Sequence, residues 1–239
     1  MKARTKLSPS RLGTIRNCQR CFWIDMNTSI SRPRGIVSTL PSGMDGIFKK
    51  WFDSHRSKGI LPFEVEKALS SIKGVKLYPD QEKLNKMQNW RSGISCTVNT
   101  MEVGGAIDDL LIDSDGVHYV FDFKTKGFNP KTDGAEYYGD QLNIYALLLE
   151  QNGFKMGDKG FLCYYYPTVV NISNSLGTEI VFSTKVCQLE VSAERGRETI
   201  IKAIELLAGP MPDSSPDCEY CGHHNALIGL ELSREAVPA

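Results

Sequence analysis

The sequence predicts an α/β fold in which a mixed central sheet is flanked by helices, and three observations predict it. Segments with helical spacing of apolar residues fill the first third, and strand-forming composition begins after Arg91. A strong turn, Asp113-Ser114-Asp115-Gly116, separates two runs of strand formers. Helical and strand-like stretches then alternate, the order in which helices come to cover a sheet.

Each element has its own signal. Ser8-Pro9 reads as an N-cap followed by proline in the first turn, so a helix runs from there to about Asn17. Ser31 to Gly35 is a basic loop. A helix from Ser42 places Ile47, Phe48, Trp51 and Phe52 at helical spacing, and Lys58-Gly59 ends it. Pro62 to Ser71 and Pro79 to Trp90 read as two short helices. Ile94 to Val103 is mostly β-branched and polar. Ala106 to Ile112 and Val117 to Lys124 form a hairpin across the turn. Gly127 to Gly134 is a loop, and Ala135 to Asn152 is a helix closed by Gly153. Gly160 to Val170 and Glu179 to Val191 are β-rich. Ser192 to Leu207 is a last helix with Ile200, Ile201, Ala203, Ile204 and Leu207 on its apolar side, before a Pro/Asp/Ser tail. The expected organisation is one domain over 1–239: a helical part at about 8–90, a core at about 91–208 and a cysteine-bearing tail at 209–239.

Composition narrows the function classes. With 41% hydrophobic and 23% charged residues, the chain is not of a disordered kind. Zero formal net charge provides no global pull toward nucleic acid. Locally, Lys2, Arg4, Lys6, Arg11, Arg16 and Arg20 precede any acid, and Arg32 and Arg34 follow; this is either a phosphate-facing surface or a solvated basic terminus. No secretory signal is visible, and the apolar runs are too short to span a bilayer, so a soluble cytoplasmic protein without a membrane partner is expected.

Four of seven cysteines form two pairs of identical spacing, Cys18/Cys21 and Cys218/Cys221. Four thiolates suffice for one tetrahedral site, which would join the two ends of the chain, and paired Cys-x-x-Cys knuckles are a common zinc arrangement. Cys96, Cys163 and Cys187 stand alone in β-like segments and read as small buried hydrophobes.

The hairpin carries the chemistry. In a strand, Asp122 and Lys124 share a face with Val120, while Phe121 and Phe123 point to the other. Asp108 shares a face with Leu110 and Ile112, where a carboxylate is costly unless compensated. Folded at the turn, Asp108 meets Asp122 and Lys124, and two carboxylates with an ammonium suit metal-assisted phosphodiester hydrolysis. On the next helix Tyr138, Gln141, Tyr145 and Leu148 form one stripe, with polar tips at Gln141 and Tyr145 where leucine would be ordinary.

Gly105-x-Ile107-Asp108, Asp122-x-Lys124-Thr125 and Gln141-x-x-x-Tyr145, in that order, resemble the PD-(D/E)XK nuclease superfamily. Within it they are similar to the RecB-like branch of CRISPR-adaptation exonucleases and AddB-type helicase-nucleases, over roughly residues 8–221. The resemblance implies a restriction-endonuclease-like core and a DNA nuclease, exonuclease-like, acting in repair, recombination or defence on single strands or ends. It implies Mg2+ or Mn2+ held by Asp108 and Asp122, with Lys124 orienting or polarising the attacking water. Gln141 and Tyr145 would support the site or contact the strand. A helicase or a CRISPR-adaptation integrase is the implied partner. It further implies a four-iron four-sulfur cluster at Cys18, Cys21, Cys218 and Cys221, with zinc as the alternative; the branch usually has one early and three late cysteines, here two and two. RecB-like members commonly carry a His on an early helix. None occurs at Gly43 to Phe48, where Asp45 is the available oxygen ligand, and His55 lies further on. A non-cleaving nucleic-acid- or partner-binding protein on the same fold is the alternative function.

Overall fold

The computed structural model describes residues 4–33, 39–131, 133–171 and 179–235. Lys2 and Arg34 of the basic stretch, and Gly35 of its loop, lie outside the described residues.

Local sequence explains where the elements begin and end. β1 (Lys6–Leu7) leads into α1 (Pro9–Asn17), whose N-cap Ser8 accepts from the Arg11 amide at 3.4 Å. Cys18 breaks the helix in extended conformation and starts α2 (Gln19–Asn27), a helix not expected from the sequence. α3 (Thr39–Arg56) begins three residues earlier than expected. α4 (Phe63–Ala68), β2 (Lys76–Leu77) and α5 (Gln81–Gln88) follow; Asp80 caps α5 by accepting from the Lys83 amide at 2.9 Å. The β-branched run resolves into a hairpin, β3 (Ile94–Val98) and β4 (Met101–Gly105).

The expected Asp-Ser-Asp-Gly hairpin joins β5 (Asp109–Ile112) to β6 (His118–Thr125). Asp113 holds its turn by accepting from the Asp115 and Val117 amides, both at 2.9 Å, and Gly116 adopts φ 72°. A 3-10 turn (Asp133–Tyr138) enters α6 (Gly139–Gln151), which ends at Gly153 with φ 85°. β7 (Met156–Asn171) and β8 (Glu179–Glu190) form a long antiparallel pair before α7 (Ala193–Ala208), capped by Ser192. The expected tail contains a further helix, α8 (Glu219–Glu235). None of the described helices is long and apolar enough to cross a membrane.

The fold is mixed α/β as expected, with a five-stranded sheet and a second, three-stranded one. The larger has strand order β2-β5-β6-β7-β8, with β6 and β7 parallel and the other pairs antiparallel. A parallel pair needs a crossover, and α6 supplies it. The smaller has order β1-β4-β3. β4 passes out of it into β5 through residues 106–108, so Asp108 sits at the junction of the sheets, not within a strand as expected. Gly93, at φ 43°, lies so close to the Gly105 carbonyl that a Cβ there would collide with it.

Alternation along β5 and β6 then sorts two cores. Leu110 and Val120 pack with Leu142, Leu148 and Ile200 under α6 and α7. Leu111, Phe121 and Phe123 pack with Phe48 and Phe52 of α3 on the opposite face. At 7% exposure Cys187, and at 0% Cys163, are buried as expected of small hydrophobes, whereas Cys96 is half-buried.

One charged pair crosses the second core. Arg56 donates to Asp109 Oδ2 at 2.7 Å and to the Tyr78 carbonyl at 2.8 Å, and both side chains are buried. Burial pushes the Asp109 carboxyl up to about 6, against the pull of Arg56. Removing one partner strands the other. Arg56→Met should therefore lower the unfolding free energy by about 3–5 kcal/mol, and adding Asp109→Leu should return most of the loss. Urea unfolding of the single and double variants measures this; a double variant no better than Arg56→Met alone would show the pair to be uncoupled.

Candidate active site

Strand alternation places Asp122 and Lys124 on the α6 side of β6, where Lys124 forms an ion pair with Asp122 Oδ2. Asp122 is 1% exposed, and its Oδ2 makes no hydrogen bond beyond that pairing. Asp108 reaches the same point from the sheet junction. Its Oδ2 accepts from the Phe123 amide at 3.0 Å, while Gln88 donates to its backbone carbonyl at 2.6 Å. The side chain is thereby tied to β6 between the two residues of the Asp-x-Lys pair.

α6 supplies the other wall. Gln141 Nε2 donates to Asp122 Oδ1 at 3.3 Å and to the Tyr145 hydroxyl at 3.1 Å, and Gln141 Oε1 accepts from Lys124 Nζ at 3.2 Å. Lys124 Nζ also lies 4.6 Å from the centre of the Tyr138 ring. The structure therefore brings Asp108, Asp122, Lys124, Gln141 and Tyr145 into one connected group. Burial, and then the charge of Asp122, raise the Tyr145 phenol above its ordinary range, so it stays protonated.

α3 contributes a residue that sequence reasoning missed. Lys49 Nζ stands 2.9 Å from Asp45 Oδ2 and 3.5 Å from Asp108 Oδ1, bridging the two. Burial works against its charge, but Asp108 and Asp45 outweigh that and raise its pKa. The i,i+4 spacing of Asp45 and Lys49 was visible, but its direction toward Asp108 depends on packing of α3 against β6. His55 is elsewhere, its ring nitrogen against the Trp51 carbonyl.

The donor set suits a divalent ion. Asp122 Oδ2 and Asp108 Oδ1 each face only an ammonium, and hard carboxylate oxygens are the ligands that Mg2+ and Mn2+ take. Burial, then repulsion by Asp108, raises the Asp122 carboxyl to about 7, against Lys124. A cation between the acids would remove that repulsion.

The second cluster is formed by the ends of the chain. Cys18 and Cys21, at the start of α2, meet Cys218 and Cys221, at the start of α8, with all four sulfurs within 4.8 Å of one another. They are buried and free of disulfides. Sulfurs at a zinc–thiolate distance of about 2.3 Å in a tetrahedron stand about 3.8 Å apart; here Cys18 to Cys221 is 3.8 Å and Cys21 to Cys218 is 3.7 Å. Arg32 donates toward Cys218 Sγ at 3.6 Å. His223 and His224 are exposed on α8 and are not among the clustered groups.

The N-terminal basic surface is largely neutralised. Arg4 and Arg11 pair with Asp25, Lys6 with Glu102, and Arg16 with Asp140. The uninterrupted run of cations gave no hint of these partners, because most are distant in sequence.

A family model of the PD-(D/E)XK nuclease superfamily matches residues 39–226. That span includes both acids, Lys124 and the late cysteine pair, and the chain belongs to this superfamily, whose members are generally metal-dependent nucleases. A search of curated proteins finds no significant match. A solved structure described as "Crystal structure of SSO0001" aligns at 14% identity over 88% of this chain and 80% of that one, with a TM-score of 0.41.

Two predictions follow from these geometries. Between the ordinary value of 3.8 and about 7, the folded protein holds the Asp122 proton and the unfolded chain does not. Stability from this group is thus fullest at low pH and is lost as pH rises through about 7. Without added divalent ions, the melting temperature should fall across that range, less steeply in Asp122→Asn, and Mn2+ should offset the fall. Melting curves with and without Mn2+ test this; equal slopes in both proteins would contradict it. For the cysteines, Cys18→Ser should release bound metal and lower the melting temperature, while Cys163→Ser should keep the metal. Metal analysis of the purified variants decides between the clustered four and a coincidence.

Proposed function

We propose that the protein is a Mg2+- or Mn2+-dependent deoxyribonuclease of RecB-like, exonuclease-like character, acting on single strands or ends in DNA repair, recombination or defence. A helicase or a CRISPR-adaptation integrase in the cytoplasm would deliver the substrate. The observation that carries the reading is the single connected group of Asp108, Asp122, Lys124, Gln141 and Tyr145.

In this reading Asp108 and Asp122 would hold the ion, which would supply Lewis-acid stabilisation of negative charge on the phosphoryl group and lower the pKa of the attacking water. Lys124 orients that water and offsets charge in the transition state. Gln141 fixes both ends of the Asp122–Lys124 pair, so that neither has to reorganise during the reaction. Tyr145 holds Gln141 in turn. At the cysteines, the sulfur spacing favours a single zinc ion; the four-iron four-sulfur cluster implied by the resemblance is larger and needs its sulfurs further apart. In either form the metal is structural.

A non-cleaving binder on the same fold is the second reading, and Lys49 is the observation that favours it. Its ammonium stands against Asp108, on the helix where RecB-like members commonly place a His ligand.

Cleavage of end-labelled DNA with Mn2+ separates the two readings. Wild type should cut, Asp122→Asn should not, and Lys124→Ala should be slower by about a hundred- to a thousand-fold, as for loss of one preorganised charge. Equal cleavage by wild type and Asp122→Asn would overturn the nuclease assignment. Visible absorption together with metal analysis distinguishes zinc from the iron–sulfur cluster.

A further inference from the structure

Trp90 is the most exposed large apolar side chain among the described residues, at 80%. Single exposed apolar residues are ordinary, so exposure alone decides nothing; its position does. Trp90 and Arg91 form the wall shared by two openings beside the acid pair. One is a cavity of about 570 Å3 that reaches Tyr138, Gln141 and Tyr145. The other is lined by Gln88 and Lys49. Gln141 touches Asp122, while Gln88 and Lys49 touch Asp108. Residues that touch both carboxylates thus line the openings that Trp90 and Arg91 share.

The first cavity carries a second aromatic of the same kind. Tyr137 is 57% exposed and also lines it. Each ring is accompanied by a guanidinium: Arg91 lies 4.9 Å from the Trp90 ring centre, and Arg16 lies 5.3 Å from that of Tyr137. Arg16 is paired with Asp140, whereas Arg91 makes no ion pair among the described residues, and at 80% exposure the indole keeps a face open despite it. Exposed rings beside cations are the groups that hold nucleobases by stacking and phosphates by charge.

We propose that Trp90 with Arg91, and Tyr137 with Arg16, form a base-stacking grip for a single DNA strand on its way to the acid pair. This rests on the hydrolytic reading above. A stacking platform needs an unpaired base, because a base inside a duplex already has both faces covered; the grip would therefore set the preference for single strands.

The test measures binding apart from cleavage. Fluorescence anisotropy of fluorescein-labelled oligothymidine, in buffer stripped of divalent ions, should show binding by the wild-type protein that Trp90→Ala weakens about tenfold or more. Trp90→Phe, which keeps a ring, should restore most of it, and Tyr137→Ala should weaken binding as well. Trp90→Ala should melt like wild type, since the side chain is exposed. Wild-type affinity in Trp90→Ala, or a blunt duplex bound as tightly as oligothymidine, would overturn the grip. Adding Mn2+ then separates the two claims. Cleavage with an unchanged KM in Trp90→Ala would sink the grip and leave the nuclease standing. Binding through Trp90 with no cleavage would sink the nuclease and leave the grip.

Discussion

Asp108 and Asp122 are held so close together, and Asp122 is so completely buried, that their charge has to be answered by something nearby. A carboxylate removed from water costs several kcal/mol unless it is paired or hydrogen-bonded. The surrounding residues supply the answer from three directions. Lys124 comes from the same strand, Lys49 from α3, and the Phe123 amide and the Gln141 side chain complete the bonding. Compensation by ammonium groups as well as by fixed dipoles is significant. An ammonium on a flexible stem can give way to a divalent ion, so the same arrangement can be folded without metal and still accept it.

β5 extends this logic to the other side of the sheet. Asp108 and Asp109 are adjacent, yet one joins the acid pair at the sheet junction and the other is buried in the core under α3. Asp109 receives its own cation, Arg56, held also by the Tyr78 carbonyl. The two acids therefore do different work. Asp108 is only half-buried, whereas Asp109 is sealed into an apolar core with a bidentate-capable partner, where no substrate could reach it. α3 carries both cations, Lys49 and Arg56, and so is fastened to residues 108 and 109 by charge and to β6 and β7 by Phe52 and Phe48.

Features written in neighbouring residues were legible in the sequence. Ser8-Pro9, Asp113 to Gly116 and Gly153 each act through their own backbone, and each forms the cap, turn or helix end that its chemistry implies. The alternation of Val120 and Asp122 against Phe121 and Phe123 likewise sorts the two faces without outside help. What was not legible depends on distance. Arg56 and Asp109 are 53 residues apart, and Arg16 and Asp140 are 124 apart. The first pair is hidden in a core and the second neutralises a surface that read as free positive charge. The close approach of Gly93 to the Gly105 carbonyl brings together positions 12 residues apart, which spacing cannot reveal. α8 was missed because its clustered cysteines lie at one end, while Leu227 and Ile228 further along are exposed.

The cysteine cluster also bears on the order in which the molecule can be assembled. Cys18 and Cys221 are separated by 203 residues, so during synthesis the first half of the site exists long before the second. Through that interval the early helices can be retained by β1 pairing with β4 and, later, by Arg16 reaching Asp140. The Cys18 and Cys21 thiols meanwhile have no counterpart, and domains with late-arriving partners expose such groups to the wrong reaction. The early pair is thus open to oxidation or to capture of a stray metal until Cys218 and Cys221 have been made and α8 has docked.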